Sequence, residues 1–262
     1  MWRIIDRAVC ITTNNSDRID DFIKDSKRVG LNVDIDFNSR VERSEICSPL
    51  KIMKVHASCC DNTCQSLTKN HLRLIKESYD KGHQRILIFE DDARWNKPLD
   101  KNKLKRSLQW IEENDPDIFF FGYVSYPNVL GRSVNKDIVQ TFNPLLSHAY
   151  ILNRKAMNFI LNDYNKIIEE NIAIDNYYAY YTSKMKKYAV FPSLNYQCAE
   201  PYYFKKTKEA LGLEFIPFNT FMNISNTITY YSDYFGIIII GFVIVLIVIL
   251  IIVRILINSE RY

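Results

Sequence analysis

The stretch ILIFEDDA carries the residues best suited to chemistry, because it ends in Glu90, Asp91 and Asp92. Three adjacent carboxylates repel one another, and a cation is the usual compensation at the end of a buried strand. Alternate residues of an extended stretch point the same way, so we expect Glu90 and Asp92 on one side and Asp91 on the other. Such spacing suits Mg²⁺ or Mn²⁺ bridging a diphosphate. For the triplet alone, a solvated acidic turn that caps the following helix is the alternative.

Alternating strands and helices must position these acids. Residues 7–12 (RAVCIT) predict a buried strand, a polar loop follows, and apolar residues at helical spacing predict a helix that Gly30 ends. Asn15 or Ser16 is the expected N-cap of that helix. Residues 33–37 predict the next strand, and this order of elements opens a nucleotide-binding α/β sheet.

The remaining pattern continues the alternation up to about residue 200. We predict helices over 66–79, from Asp100, from Asn153 as N-cap and from Asp175, and strands over 85–89, 117–121, 138–142, 149–152 and 188–191, with a loop over 124–137. A chain of this length buries a sizeable core, so residues 1–200 are predicted to form one α/β domain.

Composition excludes some classes of protein. The net charge is +4, and Lys and Arg alternate with Asp and Glu, so no nucleic-acid-binding stripe is expected.

His56, Cys59, Cys60 and Cys64 cluster without a paired C-x-x-C knuckle. Reduced thiols are therefore favoured over a local disulfide or a zinc site.

An uncharged apolar run, FGIIIIGFVIVLIVILIIV, extends over residues 235–253. As a helix it is long enough to span a bilayer, so we predict a linker at 201–233, a transmembrane helix at 234–257 and a short tail at 258–262. The N-terminus has no signal-peptide pattern. These features predict a single-pass, C-terminally anchored membrane protein with a cytosolic domain, although Arg254 and Arg261 bias the opposite orientation.

Five stretches in order over residues 7–197 together resemble glycosyltransferase family 25, which includes lipooligosaccharide and collagen-modifying galactosyltransferases. They are AVCITTNNSDRIDDFIKDSKRVGL, CQSLTKNHLRLIKESYDKGHQRILIFEDD, SHAYILNRKAMNFIL, AIDNYY and YAVFPSLNYQ. The chain departs from the family pattern at CQSLTKN and CAEPYYF. The resemblance implies a GT-A-like mixed sheet flanked by helices, a UDP-sugar donor and Mn²⁺ (or Mg²⁺).

By the matched positions, the resemblance implies that Asn14 and Arg18 contact the nucleotide. It also implies that Glu90 and Asp92 hold the metal and that Asp91 helps to hold the donor. Arg18 pairing with a neighbouring surface aspartate is the alternative.

Three further residues are candidates for the site. His71 is predicted to contact the donor, with a packed, hydrogen-bonded core histidine as the alternative. His148 is expected to line the acceptor cleft. Asp175 is the candidate general base that deprotonates the acceptor hydroxyl, and a helix N-cap is its alternative.

The sequence thus predicts a metal-dependent transferase that moves a hexose, galactose or glucose, from a UDP-sugar to a hydroxyl of a glycan, lipid-linked or protein acceptor. A catalytically degraded, membrane-anchored scaffold or sugar-binding protein of the same fold is the first alternative. A metal-dependent phosphohydrolase is the second, although four histidines are few for a two-metal site.

Overall fold

The computed structural model describes residues 1–38, 62–125, 131–142 and 144–198, with isolated residues at 205, 217, 220 and 227. Its helices are α1 (Ile19–Arg28), α2 (Asn62–Asp80), α3 (Lys101–Asn114), α4 (Arg154–Asn162), α5 (Tyr164–Glu169) and α6 (Ile174–Tyr180). Its strands are β1 (Arg7–Thr13), β2 (Asp34–Asn38), β3 (Arg85–Glu90), β4 (Ala93–Trp95), β5 (Ile118–Phe120), β6 (Val124–Ser125), β7 (Gly131–Ser133), β8 (Ile138–Thr141), β9 (Pro144–Leu145), β10 (Ala149–Asn153), β11 (Lys187–Val190) and β12 (Asn195–Gln197).

A mixed eight-stranded sheet organises the described residues, in the order β2-β1-β3-β10-β5-β11-β8-β7. The strands β2, β1 and β3 run parallel, and β10 runs antiparallel to both of its neighbours. The chain passes from β1 to β2 on one side and then to β3 on the other, so the strand order reverses at β1. In open α/β sheets, ligands bind beside the carboxyl ends of the strands at such a reversal.

The core lies on both faces of the sheet, which explains the unbroken apolar run of β3. Ile86 and Ile88 pack into one core layer, and Leu87 and Phe89 pack into the other. All four side chains have no exposed surface. Strands covered on both faces are apolar throughout rather than alternating, and the prediction of a buried strand here is confirmed.

Local capping signals set two helix starts as predicted. The carboxylate of Asp100 accepts a hydrogen bond from the Lys103 backbone N–H at 2.8 Å, and the Asn153 side chain accepts one from that of Ala156 at 2.8 Å. Two other starts differ from the prediction. Helix α1 has Arg18 as its N-cap, with no side-chain cap bond. Helix α6 has Ala173 as its N-cap, so Asp175 lies inside the first turn.

The pairing of β4 with β12 was not predicted, and it matters for the site. Asn195 lies opposite Trp95, and Gln197 lies opposite Ala93. This small antiparallel sheet brings the end of the described chain back to the segment that directly follows the acidic triplet. The predicted loop over 124–137 also contains the short strands β6 and β7.

The prediction of a C-terminal membrane helix is corrected. Within the described ranges, no helix is long and apolar enough to cross a bilayer. Residues 234–257 and 258–262 lie outside the described residues, as does 201–233 apart from the isolated positions. The added transmembrane helix and the single-pass membrane localisation are therefore not retained. The domain boundary at residue 200 stays a prediction.

The cysteine cluster is described only in part. Cys64, in the first turn of α2, is disulfide-bonded, whereas the sequence favoured reduced thiols. His56, Cys59 and Cys60 lie outside the described residues. Cys10 is a buried free thiol, which agrees with the prediction of a buried strand over residues 7–12.

Candidate functional site

A cleft of about 190 Å³ opens at the carboxyl ends of β1, β2 and β3, where the strand order reverses. The first turns of α2 close its opposite wall. Most of the residues that line it are of polar or charged types: Thr12, Thr13, Arg18, Asn38, Thr63, Ser66, Asn70, Glu90, Asp91 and Asp92, with Ile11 and Leu67. All three acids predicted from ILIFEDDA therefore meet at this cleft.

Asp91 is bound within the protein. Its carboxylate accepts hydrogen bonds from the hydroxyls of Thr12, at 2.8 Å, and Ser16, at 2.5 Å. The Arg18 guanidinium donates to the other oxygen through Nε at 3.1 Å and through Nη2 at 2.8 Å. Asp91 thereby fastens the loop between β1 and α1 to the end of β3. Ser16 Oγ also accepts a hydrogen bond from the Arg18 backbone N–H at 3.3 Å, but α1 begins at Ile19 with Arg18 as its N-cap, so Ser16 is not the N-cap that the sequence predicted.

Arg94 braces the same turn through backbone carbonyl groups. Its guanidinium donates to the carbonyl oxygens of Asp91 and Ala93, both at 2.8 Å, and to that of Arg18 at 3.1 Å. The side chain is buried. A guanidinium offers five donors in a rigid fork, which suits it to hold several carbonyl groups at once. The acidic turn is therefore held in a fixed conformation.

Asp92 has a different partner from Asp91, and its carboxylate can accept further hydrogen bonds. One carboxylate oxygen accepts a hydrogen bond from Gln197 Nε2 at 2.8 Å. The other, Oδ1, is buried and has no hydrogen-bond partner in the described part of the chain. Burial raises the pKa of Asp92 to about 7, with a further contribution from the nearby negative charge of Glu90. A cation at Oδ1 would supply the missing compensation.

Glu90 is held by neighbours from α2 and from the loop before β10. Its Oε1 accepts a hydrogen bond from the Ser147 hydroxyl at 3.1 Å and lies 3.6 Å from His71 Nε2. Burial alone would raise the pKa of Glu90, but the side-chain contacts with His71 and Ser147 outweigh it and lower that pKa below its usual value. The pKa of Glu90 is thus lowered and that of Asp92 is raised, as in sites where two carboxyl groups have different roles.

His148 lies against the backbone of Gly122 in the interior. A β-carbon added to Gly122 would collide with the His148 ring and come within 2.5 Å of the Asn195 carbonyl oxygen. Burial lowers the pKa of His148 to about 4, although Glu90 and the Asn195 backbone act in the opposite direction. His148 is therefore a neutral side chain beneath the acids at neutral pH.

Asp175 approaches the site from α6. It is partly exposed, and its Oδ1 accepts a hydrogen bond from the Asn176 backbone N–H at 2.8 Å. Burial raises its pKa, and the backbone N–H of Asn176 opposes that shift. The charge of Glu90 raises it further, as expected for carboxylates that share one region.

The structure places the remaining predicted residues as follows. His71 has no exposed surface, and its Nδ1 lies 2.7 Å from the Tyr150 hydroxyl, so it adjoins the cleft through Glu90. Asn14 has an exposed side chain, and its backbone N–H donates to the Asn38 carbonyl at 3.1 Å. Of the eight predicted site residues, Arg18, Glu90, Asp91 and Asp92 line the cleft.

Sequence reasoning missed Gln197, Ser147, Arg94 and Tyr150 as members of the site. Gln197 and Tyr150 lay within stretches that carry the family resemblance, and this was the available signal for them. Ser147 lay within one of these stretches too, whereas Arg94 had no such signal, because a single polar residue beside a predicted strand is common on any surface.

Whether the site suits a divalent cation depends on the donor atoms that its residues offer. No group of three or more His, Cys, Asp or Glu side chains suited to a metal occurs among residues that the structure describes. Mg²⁺ and Mn²⁺ nevertheless bind through one or two carboxylates when substrate phosphates complete the shell. The unpaired Oδ1 of Asp92, with Glu90 close by, fits that mode.

No protein-family profile and no curated protein sequence matches this chain. Solved structures similar to it include a glycosyltransferase involved in the glycosylation of the major capsid of PBCV-1, at 11% identity and TM-score 0.43, covering 80% of this chain and 100% of that one. A UDP-glucose pyrophosphorylase complexed with UDP-glucose matches at 8% identity and TM-score 0.44, covering 79% and 98%. The inositol-1-phosphate CTP transferase from T. maritima matches at 12% identity and TM-score 0.38, covering 79% and 76%. These likenesses are distant, so the geometry of the site carries the functional inference.

Proposed function

We propose that this protein is a metal-dependent glycosyltransferase that uses a nucleotide-sugar donor, with a UDP-hexose as the first candidate. One observation carries the proposal. The cleft lies at the carboxyl ends of β1 and β3, where the strand order reverses, and a buried carboxylate with an unpaired oxygen stands at its edge. A nucleotide diphosphate with its cation matches both the place and the charge of that site.

The residues of the donor site have the following roles in this proposal. Asp92, assisted by Glu90, would hold Mn²⁺ or Mg²⁺, and the bound ion would stabilise the departing nucleotide diphosphate as a Lewis acid. Arg18 keeps its position through Asp91, and its side chain, 43% exposed, reaches the cleft as a contact for phosphate oxygens. Asn14 lies on the loop beside it and is assigned to the nucleotide.

Asp175 is the proposed general base. Its raised pKa moves it toward the range in which a carboxylate accepts a proton efficiently at neutral pH. It would take the proton of an acceptor hydroxyl as the oxygen attacks the anomeric carbon of the donor. We assign His148 to the acceptor side of the site, as an uncharged side chain packed close to the acidic residues. Galactose or glucose as the sugar, and a glycan, lipid-linked or protein acceptor, follow from the family-25 resemblance.

The test measures UDP release by the full chain from a panel of UDP-sugars, with Mn²⁺ and with a chelator. One UDP-sugar should release UDP in a Mn²⁺-dependent manner. Asp92→Asn should reduce that release at least about tenfold. Asp80→Asn is the matched control, because Asp80 is exposed at the far end of α2 and should retain wild-type release.

Two outcomes would reject this assignment. If no UDP-sugar releases UDP and UDP with Mn²⁺ causes no thermal shift, the protein is a scaffold or sugar-binding protein of the same fold. If free nucleotides or phosphomonoesters are hydrolysed in preference to UDP-sugars, it is a phosphohydrolase.

A further inference from the structure

A chain of buried polar groups runs from α6 through β10 and α2 to Glu90. Tyr178 Oη lies 3.0 Å from Tyr150 Oη, which lies 2.7 Å from His71 Nδ1. His71 Nε2 lies 3.6 Å from Glu90 Oε1. The side chains of Tyr178, Tyr150 and His71 have no exposed surface, so solvent does not complete their hydrogen bonds.

The direction of these hydrogen bonds follows from counting protons. If Tyr150 donates to His71 Nδ1, the imidazole proton lies on Nε2 and faces the Glu90 carboxylate. In the opposite direction, His71 Nδ1 donates to Tyr150. With a proton on Nδ1 alone, the lone pair of Nε2 faces the carboxylate at 3.6 Å, and the two repel each other in a buried site. With protons on both nitrogens, Nδ1 cannot accept, so one of the two buried tyrosine hydroxyls is left without an acceptor among the described residues.

Tyr178 supports the same direction. In the first arrangement its hydroxyl donates to Tyr150, which can accept because its own proton goes to His71. In the reverse arrangement Tyr178 accepts from Tyr150, and its own proton would need another acceptor. The hydrogen bonds found in the described ranges supply none. An unsatisfied buried O–H is costly, so both ends of the chain favour one direction.

We propose that Tyr178, Tyr150 and His71 form a positioning chain that directs a single N–H, on His71 Nε2, at the Glu90 carboxylate. The Ser147 hydroxyl donates to the same oxygen, and His71 Nε2, which is buried and has no hydrogen-bond partner in the described ranges, approaches it to 3.6 Å. The chain thus acts through Glu90 on the cleft, as outer hydrogen bonds orient the ligands of many metal sites. The role of Glu90 toward a cation rests on the proposed function; the direction of the hydrogen bonds does not.

The first experiment reads proton positions directly. Long-range ¹H–¹⁵N NMR of the ¹⁵N-histidine-labelled full chain, with His71 assigned by His71→Asn, should show a proton on Nε2 and Nδ1 as a hydrogen-bond acceptor. Tyr150→Phe should move the Nδ1 resonance toward that of an unbonded imine nitrogen. Tyr178→Phe, a substitution of the same size in the same cluster, should leave Nδ1 bonded.

Glu90→Gln removes the charge that selects the tautomer. Because the tyrosine end of the chain still favours the same direction, we expect this variant to show a weaker preference for Nε2–H and a larger share of the Nδ1–H form than the wild type. A wild-type His71 ring protonated at Nδ1 alone, or at both nitrogens, would overturn the proposal. An Nδ1 resonance that is the same in Tyr150→Phe as in the wild type would also overturn it.

A second experiment tests the positioning role under the proposed function. With the UDP-sugar that the wild type consumes, Tyr150→Phe should lower kcat about tenfold at a similar KM. Tyr164→Phe is the control, because Tyr164 is an exposed tyrosine outside this chain, and its kcat should stay within about twofold of the wild type. Equal kcat values for Tyr150→Phe and the wild type would overturn the positioning role. If the wild type itself consumes no donor, the proposed function fails, while the NMR result still decides the direction of the chain.

Discussion

Gln197 donates a hydrogen bond to Asp92 at 2.8 Å and leaves the other oxygen of that carboxylate buried without a partner in the described ranges. The two residues are far apart in the chain, and the pairing of β12 with β4 brings them together. This contact fixes the orientation of Asp92 while its charge remains uncompensated. Several testable properties of the site depend on that imbalance.

The stability of the protein should depend on pH through Asp92. Its pKa in the fold is about 7, above the ordinary 3.8, so the native state retains a proton that the unfolded state has lost between these values. The free energy of unfolding should therefore fall as pH rises through this window and level off above it. Asp92→Asn removes this titration and keeps an oxygen for Gln197. Chemical denaturation at pH 5 and pH 8 should show the variant gaining stability over the wild type as pH rises.

Titrating groups remote from Asp92 act equally in both proteins and cancel in that difference. Asp80→Asn, at an exposed site, should follow the wild type at both pH values. Mn²⁺ at pH 8 should stabilise the wild type more than Asp92→Asn, because a ligand of the native state adds to its stability. A difference between Asp92→Asn and the wild type that does not change with pH would contradict the burial of a carboxylate at this position.

Arg18→Gln should loosen the loop between β1 and α1. The substitution leaves the buried Asp91 carboxylate with its two hydroxyl donors and without its guanidinium. Losing a partner of a buried charged group costs about 1–3 kcal/mol in the free energy of unfolding. Arg3→Gln is the control, since that residue pairs with Glu112 at the surface and should cost less than about 1 kcal/mol. Equal costs in denaturant titrations would show that the Asp91 clamp adds no more than a surface pair.

Gly122→Ala should disturb the site by overpacking. The new methyl group would collide with His148 and lie 2.5 Å from the Asn195 carbonyl oxygen, which belongs to the backbone of β12. Overpacking of this kind typically costs about 1–3 kcal/mol. Because β12 carries Gln197, the variant should also lose Mn²⁺-dependent UDP binding in a thermal-shift assay.

Gly82→Ala separates this effect from general strain. Gly82 has φ +79° and nothing within 4 Å of its added β-carbon, so only backbone strain is introduced there. That variant should be destabilised yet still bind UDP with Mn²⁺. If both alanine variants retain binding, the contact between Gly122 and His148 does not support the site.

Asp175→Asn tests the general base. It should leave the UDP- and Mn²⁺-dependent thermal shift unchanged, because Asp175 lies on α6 outside the cation site. Donor hydrolysis should fall about 100-fold or more, as expected when a positioned base is removed. Glu169→Gln, on the exposed face of the neighbouring α5, should retain wild-type rates. A variant that loses binding but not turnover would assign Asp175 to the donor rather than to the acceptor.

Patterns that act over a few residues were readable from the sequence. The apolar run before Glu90 predicted a strand buried on both faces, and the caps at Asp100 and Asn153 predicted two helix starts. The strand and the two caps depend on backbone geometry and neighbouring residues, so no knowledge of the fold was required. The alternation of side chains also predicted that Asp91 would face away from Glu90 and Asp92, but the strand ends at Glu90, whereas Asp91 and Asp92 form a turn, and all three line the same cleft.

The partners of each acid were decided only by the tertiary structure. The alternation of side chains along a strand does not name the partners of Asp91. The strand order β2-β1-β3 determines that Thr12, Ser16 and Arg18 bind its carboxylate. The antiparallel insertion of β10 brings Tyr150 to His71, and β12 brings Gln197 to Asp92. Burial and hydrogen bonds to distant residues set the pKa values of these groups, and both arise when strands remote in sequence pair. The sequence alone therefore determined where the acidic residues lie along the chain, and the order of the strands in the sheet decided which partners each carboxylate has.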